Sequence, residues 1–287
     1  MYTLAVDVGG TKIAAGVIDK HFKWLSKVEH KSQSKSAFSM YDSLLECMCV
    51  AIEEAELNKN KIKKIGIAIP GKIDKAKGIA VYQNNLPWRN FPLRTELLKK
   101  FPNTHIVLEH DVAAASIGEW TVRELSNELF VYITVSTGIA ARVIYQGKEL
   151  DGMGFAGEIG FFPVGESDVE NTASGSAMEK ELGKAYADMT LQKAFTRWAS
   201  GDTELNLFFD EKASVLASSI FHVMGILDPH KIVLGGGVVN KQPKFYQLIL
   251  DKFQLLCKHP LQKNWVKRIE KSLLLGDSGL HGVAVAE

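Results

Sequence analysis

Apolar residues recur along this chain in two rhythms, an every-other-residue or continuous pattern that marks strands and a 3.6-residue pattern that marks helices. The run from Leu4 and the run from Ile13 are two β-type stretches hinged on Gly9-Gly10, with Asp7 just ahead of the turn. Phe22, Trp24 and Val28 fall at even spacing and predict a third strand over 22–31. From Ser39 onward Tyr41, Leu44, Leu45, Met48 and Ile52 keep helical spacing, which predicts an amphipathic helix. A strand over 63–69 then ends at Pro70-Gly71, a polar loop covers 83–88, and a short helix over 95–101 precedes a strand over 105–108. Asp111 is expected as the N-cap of an alanine-rich helix over 112–120. A second hairpin joins 129–136 to 139–146 through Thr137-Gly138. Helices are predicted over 177–186, 211–227 and 245–257, with a strand over 231–234 running into Gly235-Gly236-Gly237.

Strands mixed with helices throughout place the chain in the α/β class. The second hairpin repeats the first in form about half a chain later. Val135-Ser136-Thr137-Gly138-Ile139 stands where Val8-Gly9-Gly10-Thr11-Lys12 stood, so two related halves are expected, dividing near Glu119.

Composition narrows the partners. The 287 residues are ample for a large core, and 46% hydrophobic with 23% charged residues is ordinary for a globular protein. A formal charge of +1 gives no electrostatic reason to expect nucleic acid or a membrane as partner. No apolar run is long enough to span a bilayer. The first strand follows Met1 with no room for a signal segment, so a cytoplasmic location is expected. Cys47, Cys49 and Cys257 sit in apolar helical patterns and are expected to be core thiols, not disulfides.

The candidate chemistry starts at the first hinge. A glycine pair between strands fits a type I′ turn, where both central residues have φ > 0, and that alone explains the glycines. The same turn leaves N–H groups unobstructed beside Thr11 and Lys12, a concavity that can hold a phosphate. Asp7, in an apolar strand, needs a partner or a metal, because a buried unpaired carboxylate is costly. Asp111 alone reads first as a helix cap, and a cap can also fix a carboxylate for proton transfer.

The two hairpins, the strand before three glycines and the segment His110-Asp111-Val112-Ala113-Ala114 together resemble the ROK family of sugar kinases. The likeness extends to Pro70-Gly71, Asn85-Leu86-Pro87-Trp88, Ala156-Gly157-Glu158-Ile159-Gly160 and Glu170-Asn171-Thr172-Ala173-Ser174-Gly175, in that order and nearly end to end. The resemblance implies an actin-like, hexokinase-like ATPase fold with two ribonuclease H-like α/β lobes. Each lobe would hold a five-stranded mixed sheet flanked by helices, with the active site in the cleft between them. The first lobe would be 1–118, completed by a C-terminal helix over 276–287, and the second 119–275. It further implies ATP as co-substrate, Gly9, Gly10, Thr11 and Lys12 as one phosphate loop, Thr137 and Gly138 as the other, and Gly235, Gly236 and Gly237 near the adenosine. Asp7 would hold Mg²⁺ through water, Asp111 would be the general base, and Gly71, Asn85, Asp111, Glu158 and Glu170 would bind the sugar. The reaction implied is transfer of the γ-phosphate to the 6-hydroxyl of a hexose, an N-acetylhexosamine or a glucoside, by a homodimer.

The chain departs from the family pattern at two places. Phe161 stands where many members have histidine, and 162–169 contains neither cysteine nor histidine, so no structural zinc is expected. An apolar residue there either fills the room left by the lost zinc site or, with a shortened loop behind it, leaves a more open pocket that accepts a β-linked disaccharide. Ala140, Ala141 and Arg142 replace residues that are often glycine in the family, which keeps a non-catalytic sugar sensor as an alternative. A ROK-type transcriptional regulator is the other, but the hairpin begins at residue 3 with no basic helical segment ahead of it.

Overall fold

The computed structural model describes residues 2–286, which divide into two compact units, 2–123 with 277–286 and 124–276. The first unit is built on β1 (Tyr2–Val8), β2 (Lys12–Ile18), β3 (Trp24–Lys31), α1 (Ala37–Glu54), β4 (Ile62–Ile69), β5 (Lys72–Asp74), β6 (Ile79–Tyr82), β7 (Arg89–Phe91), α2 (Leu93–Lys100), β8 (His105–His110) and α3 (Asp111–Val122). The second contains β9 (Leu129–Val135), β10 (Ile139–Tyr145), β11 (Lys148–Glu149), β12 (Pro163–Val164), β13 (Ser167–Asp168), α4 (Val169–Ala173), α5 (Gly175–Ala185), α6 (Leu191–Ala199), α7 (Asn206–Leu227), β14 (Lys231–Gly235), α8 (Gly237–Asn240), α9 (Pro243–Leu256) and β15 (Ile269–Lys271). The last helix, α10 (Ser278–Val285), belongs to the first unit.

Both main sheets have five strands and one topology. The first runs β3-β2-β1-β4-β8 and the second β11-β10-β9-β14-β15. In each, an antiparallel meander is extended by two parallel strands, β4 beside β1 and β8 beside β4, and β14 beside β9 and β15 beside β14. These are two ribonuclease H-like, actin-like lobes.

In the first unit the alternation along β1 sorts two environments. Leu4, Val6 and Val8 face a core with Met40, Leu44 and Met48 of α1. On the opposite face Ala5 joins Ala68, Ala114, Leu280 and Val283, and the small side chains of the three alanines let α3 and α10 approach closely. A Cβ on Gly282 would lie 1.6 Å from the Ala114 carbonyl oxygen, and one on Gly66 would lie 1.9 Å from that of Val283. Asp7 continues this second face, so its carboxylate is placed beneath helices, not in open water. In the second unit Ile133, Ile232 and Leu234 pack with Phe209, Ile220 and Phe245 in one continuous core.

Several expectations change. Phe22 has φ 59°, a left-handed conformation, so the third strand starts at Trp24. The division near Glu119 would cut α3; the chain passes to the second unit after Arg123. Glu119 is fully buried, paired with Arg123 and accepting a 2.8 Å bond from Ser278, which keeps the whole of α3 with the first unit. Cys49 is exposed, Cys257 partly buried, and all three thiols are free, so only Cys47 is a core thiol. No helix among the described residues is long and apolar enough to cross a membrane.

Candidate functional site

The sequence-predicted residues form two constellations, one in each unit. In the first unit Gly9, Gly10 and Thr11 link β1 to β2, and the Gly9 N–H donates to the Lys12 carbonyl at 2.9 Å. Neither Gly9 nor Gly10 has positive φ, so the turn is not type I′. Close approach explains the glycines instead: a Cβ on Gly9 would sit 3.0 Å from the Lys12 oxygen, and one on Gly10 3.0 Å from the Asn85 oxygen. The N–H groups of Gly10 and Thr11 meet no protein acceptor among the described residues, which leaves them for an anion. Ser32, which carries no motif signal, braces the loop by donating from its hydroxyl to Gly9 (2.7 Å) and from its backbone to Thr11 (3.0 Å). Lys12 opens β2, is exposed, and pairs with Glu29 at 2.5 Å.

Asn85 abuts Gly10 on a loop held from inside. The buried side chains of Leu86 and Trp88 anchor it, and Arg89 Nη1 donates to the carbonyls of Gln83 (2.9 Å), Leu86 (3.0 Å) and Trp88 (2.6 Å). Gly71 adopts φ 79° against the Tyr82 oxygen, where a Cβ would lie 2.5 Å away. Arg89 stands next to the Asn-Leu-Pro-Trp segment, but nothing in its spacing marks it as the brace.

Asp111 is not the N-cap of α3. His110 is, with extended backbone, and Asp111 is the first helical residue. The Val112 N–H is shared by Asp111 Oδ1 at 2.8 Å and His110 Nδ1 at 3.3 Å. That bond fixes the carboxylate while more than a third of the side chain stays open to a substrate. Asp7, at the end of β1, lies beside α10: a Cβ on Gly279 would come 2.7 Å from Asp7 Oδ2. Burial, reinforced by the negative charge of Asp111 and opposed by Lys12, pushes the Asp7 carboxyl up to about 7.

Two carboxylates that repel each other in a desolvated site fit a divalent cation. No group of three or more His, Cys, Asp or Glu suited to a metal occurs among the described residues, which argues against an all-protein cage. Mg²⁺ needs none, because it keeps waters and takes one or two carboxylates plus phosphate oxygens.

In the second unit Thr137 and Gly138 form the β9–β10 turn, closed by the Ser136 N–H donating to Gly138 at 2.9 Å. Their own N–H groups meet no protein acceptor among the described residues. Glu170, in the first turn of α4, accepts from the Ile139 N–H at 2.9 Å and lies so close to Gly138 that a Cβ there would be 2.6 Å from Oε2. Glu170 is therefore bound to the phosphate-type turn, not a solvated surface charge. Ala140 and Ala141 are strand residues of β10 paired with Thr134 and Ile133, beyond the turn, and leave its geometry untouched.

Glu158 follows Gly157, whose φ of 87° and 2.2 Å Cβ distance to the Ala141 oxygen admit only glycine. Its carboxylate is held by Arg142. Phe161 ends a short 3₁₀ turn and is 63% exposed, so it does not fill the room of a lost metal site. The β12–β13 hairpin, turning at Gly165 with φ 59°, occupies that stretch.

Gly235 ends β14, Gly236 takes φ 89° against the Val135 oxygen, and Gly237 starts α8. Thr137 and Gly237 line one cavity of about 440 Å³ together with Gly175, Glu179, Gln192 and Gln242. It has the size of a small-molecule site, and apart from Gly175 its walls from α5 and α6, and Gln242 just ahead of α9, carried no motif. Gly138, Gly235 and Gly236 do not line it.

A model of the ROK family matches residues 3–286. N-acetyl-D-glucosamine kinase of Salmonella newport is 27% identical, with 97% of this chain and 96% of that protein covered. Among solved structures, a ROK hexokinase from Thermus thermophilus is 27% identical with a TM-score of 0.78, covering 99% of this chain and 97% of that one. A ROK family glucokinase from Streptomyces griseus, in complex with glucose and AMPPNP, shares the fold at 24% identity and a TM-score of 0.77, covering 99% and 98%. With one family matched over nearly every residue and both sheets in its topology, the chain belongs to the ROK family.

Proposed function

We propose that this protein is an ATP-dependent sugar kinase that transfers the γ-phosphate to the 6-hydroxyl of a hexose, an N-acetylhexosamine or a glucoside. The observation that carries the reading is the Asp7–Asp111 pair, a strand-end carboxyl pushed up to about 7 beside a helix-start carboxylate that is fixed yet open. Similarity to a named N-acetyl-D-glucosamine kinase supports a sugar as acceptor.

Phosphoryl transfer asks for positioning and charge stabilisation more than covalent chemistry. Asp111 would orient the acceptor hydroxyl and take its proton as the new O–P bond forms, a contribution of about 10²–10⁴-fold. The unpartnered N–H groups of Gly10 and Thr11, and of Thr137 and Gly138, would hold phosphate oxygens, with Lys12 adding positive charge nearby. Asp7 would hold Mg²⁺ through water. When bound, Mg²⁺ would neutralise the charge that builds on the phosphates. Gly235, Gly236 and Gly237 would let the nucleotide approach the backbone. Asn85, Glu158 and Glu170 would accept from sugar hydroxyls, and Gly71 would leave room for the ring.

An ADP-release assay across glucose, N-acetylglucosamine, N-acetylmannosamine and cellobiose tests this reading. Sugar-dependent ADP formation that vanishes with Asp111→Asn is expected, and no sugar-dependent turnover would overturn it.

A further inference from the structure

Arg142 is a cation in the middle of an otherwise apolar strand, next to Val143 and Ile144 on β10, with a side chain only 8% exposed. Burying a guanidinium is expensive unless its donors are met. Here they are met in an uneven way. Nη1 donates to the carbonyls of Ala141 (2.8 Å) and Ala156 (3.2 Å), and both Nη1 and Nη2 donate to one oxygen of Glu158, Oε1, at 3.1 Å. Nε lies 3.4 Å from Glu149 Oε1.

The guanidinium thus ties β10 to the segment that carries Glu158. The backbone adds a parallel tie, the Ala141 N–H donating to Gly157 at 2.7 Å. Glu158 Oε1 is saturated, whereas Oε2 meets no partner among the described residues, and the Glu158 side chain is a quarter exposed. A carboxylate otherwise offers two oxygens, which can bridge two neighbouring hydroxyls. Held in this way it offers one.

We infer that Arg142 is a positioning residue for sugar binding, which locks Glu158 so that Oε2 alone reads one acceptor-sugar hydroxyl and leaves the neighbouring ring position unread. The inference rests on Glu158 belonging to the sugar site. A site that does not bond a group cannot reject its replacement strongly. The sugars taken are therefore those with one hydroxyl for Oε2 and either a hydroxyl or a larger substituent beside it. The departure at Arg142 then has a use: Gly157 lets its segment pass against the Ala141 carbonyl, and the arginine reaches Glu158 from the strand.

The test is steady-state kinetics on Arg142→Met, Arg142→Lys and Glu158→Gln, varying sugar and ATP separately with the fastest substrate among glucose, N-acetylglucosamine and N-acetylmannosamine. Arg142→Met should raise the sugar KM by about tenfold or more and leave the ATP KM within about twofold, since a charge-assisted bond that orients a ligand contact is lost. Arg142→Lys keeps the charge but not the fork, and should recover only part of that loss. A double-mutant cycle with Glu158→Gln should show strong coupling. A merely structural arginine would change both KM values alike or neither, and that result would overturn the inference. If Arg142→Met does not fold, the sugar-to-ATP split of Arg142→Lys decides on the same terms. A Glu158→Gln enzyme with a native sugar KM would instead overturn the sugar-site reading itself. A raised sugar KM in Glu158→Gln beside native values in both arginine variants would defeat the role of Arg142 alone.

Discussion

The two units share one sheet topology, yet they treat their carboxylates in opposite ways. In the first, Asp7 has no hydrogen bond to its carboxylate among the described residues, and burial together with the charge of Asp111 pushes it up to about 7. In the second, Glu158 is clamped by Arg142 and Glu170 accepts a backbone N–H from the turn it supports. A buried carboxylate such as Asp7 with no donor to its oxygens weakens the folded state, whereas one held by a guanidinium or a backbone N–H stabilises a geometry. The contrast predicts that substitutions at Asp7 and Asp111 will act on the chemical step, and those at Glu158 and Glu170 on binding.

The largest effect should come from Asp111→Asn. The amide keeps the shape and the bond from the Val112 N–H but cannot take a proton, so kcat should fall by about 10²–10⁴-fold with little change in sugar KM. Stopped-time ADP assays would check it, and a kcat within tenfold of wild type would break the contrast at its strongest point.

Asp7 gives the next effect, on stability against pH. Its carboxyl titrates at about 7 when folded and near 3.8 when unfolded, so the folded state binds the proton more tightly. This group's stabilisation is full below about pH 4 and is lost as pH rises through about 7. Asp7→Asn should match wild type in thermal melts at pH 4 and exceed its Tm by roughly 5 °C at pH 8. The same variant should lose turnover at both pH values. Equal melts at pH 8 would mean that Asp7 has a cation partner after all.

The glycines sharpen the comparison further. A Cβ on Gly10 would press on the backbone oxygen of Asn85, which cannot move cheaply, whereas one on Gly138 would press on the carboxylate of Glu170, which can. Gly10→Ala should therefore lower Tm and weaken ATP use together. Gly138→Ala should keep its Tm but raise the sugar KM by about tenfold, the cost of displacing a positioning group by a fraction of an ångström. An unchanged sugar KM in Gly138→Ala would remove Glu170 from the sugar site.

How much of this could be read from the sequence follows from range. The paired hairpins, the main strands and the long helices rest on local periodicity and were legible, as was Asp111 at a helix start. Helix α6 was legible too, since Leu191, Ala194, Phe195 and Trp198 keep helical spacing within its nine residues. The strands β5, β7 and β15 have three residues each, too few for any period to show. The reasons behind the site glycines were hidden for another cause. Gly10 is small because Asn85, distant in sequence, lies against it, and Arg142 finds Glu158 across a loop. Such pairings are decided by tertiary contact, and local pattern carries no trace of them.

The smallest predicted effect lies at Phe161, where the second unit presents an aromatic face without a fixed partner. Its ring is 63% exposed and stands on the 3₁₀ turn that follows Glu158, so it is free to pack against a group attached to a sugar held at Glu158. A ring face of this kind packs against a second sugar or an aglycone with about 0.5–1.5 kcal/mol, roughly a two- to tenfold factor in affinity. It also lacks the hydrogen-bonding power of a histidine, so it has little means of rejecting a substituent on a sugar hydroxyl near it. Cellobiose should therefore be phosphorylated alongside glucose. Phe161→Ala should lower kcat/KM for cellobiose by roughly two- to tenfold while leaving that for glucose unchanged. Phe161→His should favour the unsubstituted sugar by restoring a donor. Undetectable turnover of cellobiose beside efficient turnover of a monosaccharide would rule the open pocket out. An equal loss for both sugars in Phe161→Ala would show that the ring supports the Glu158 turn instead of touching the substrate.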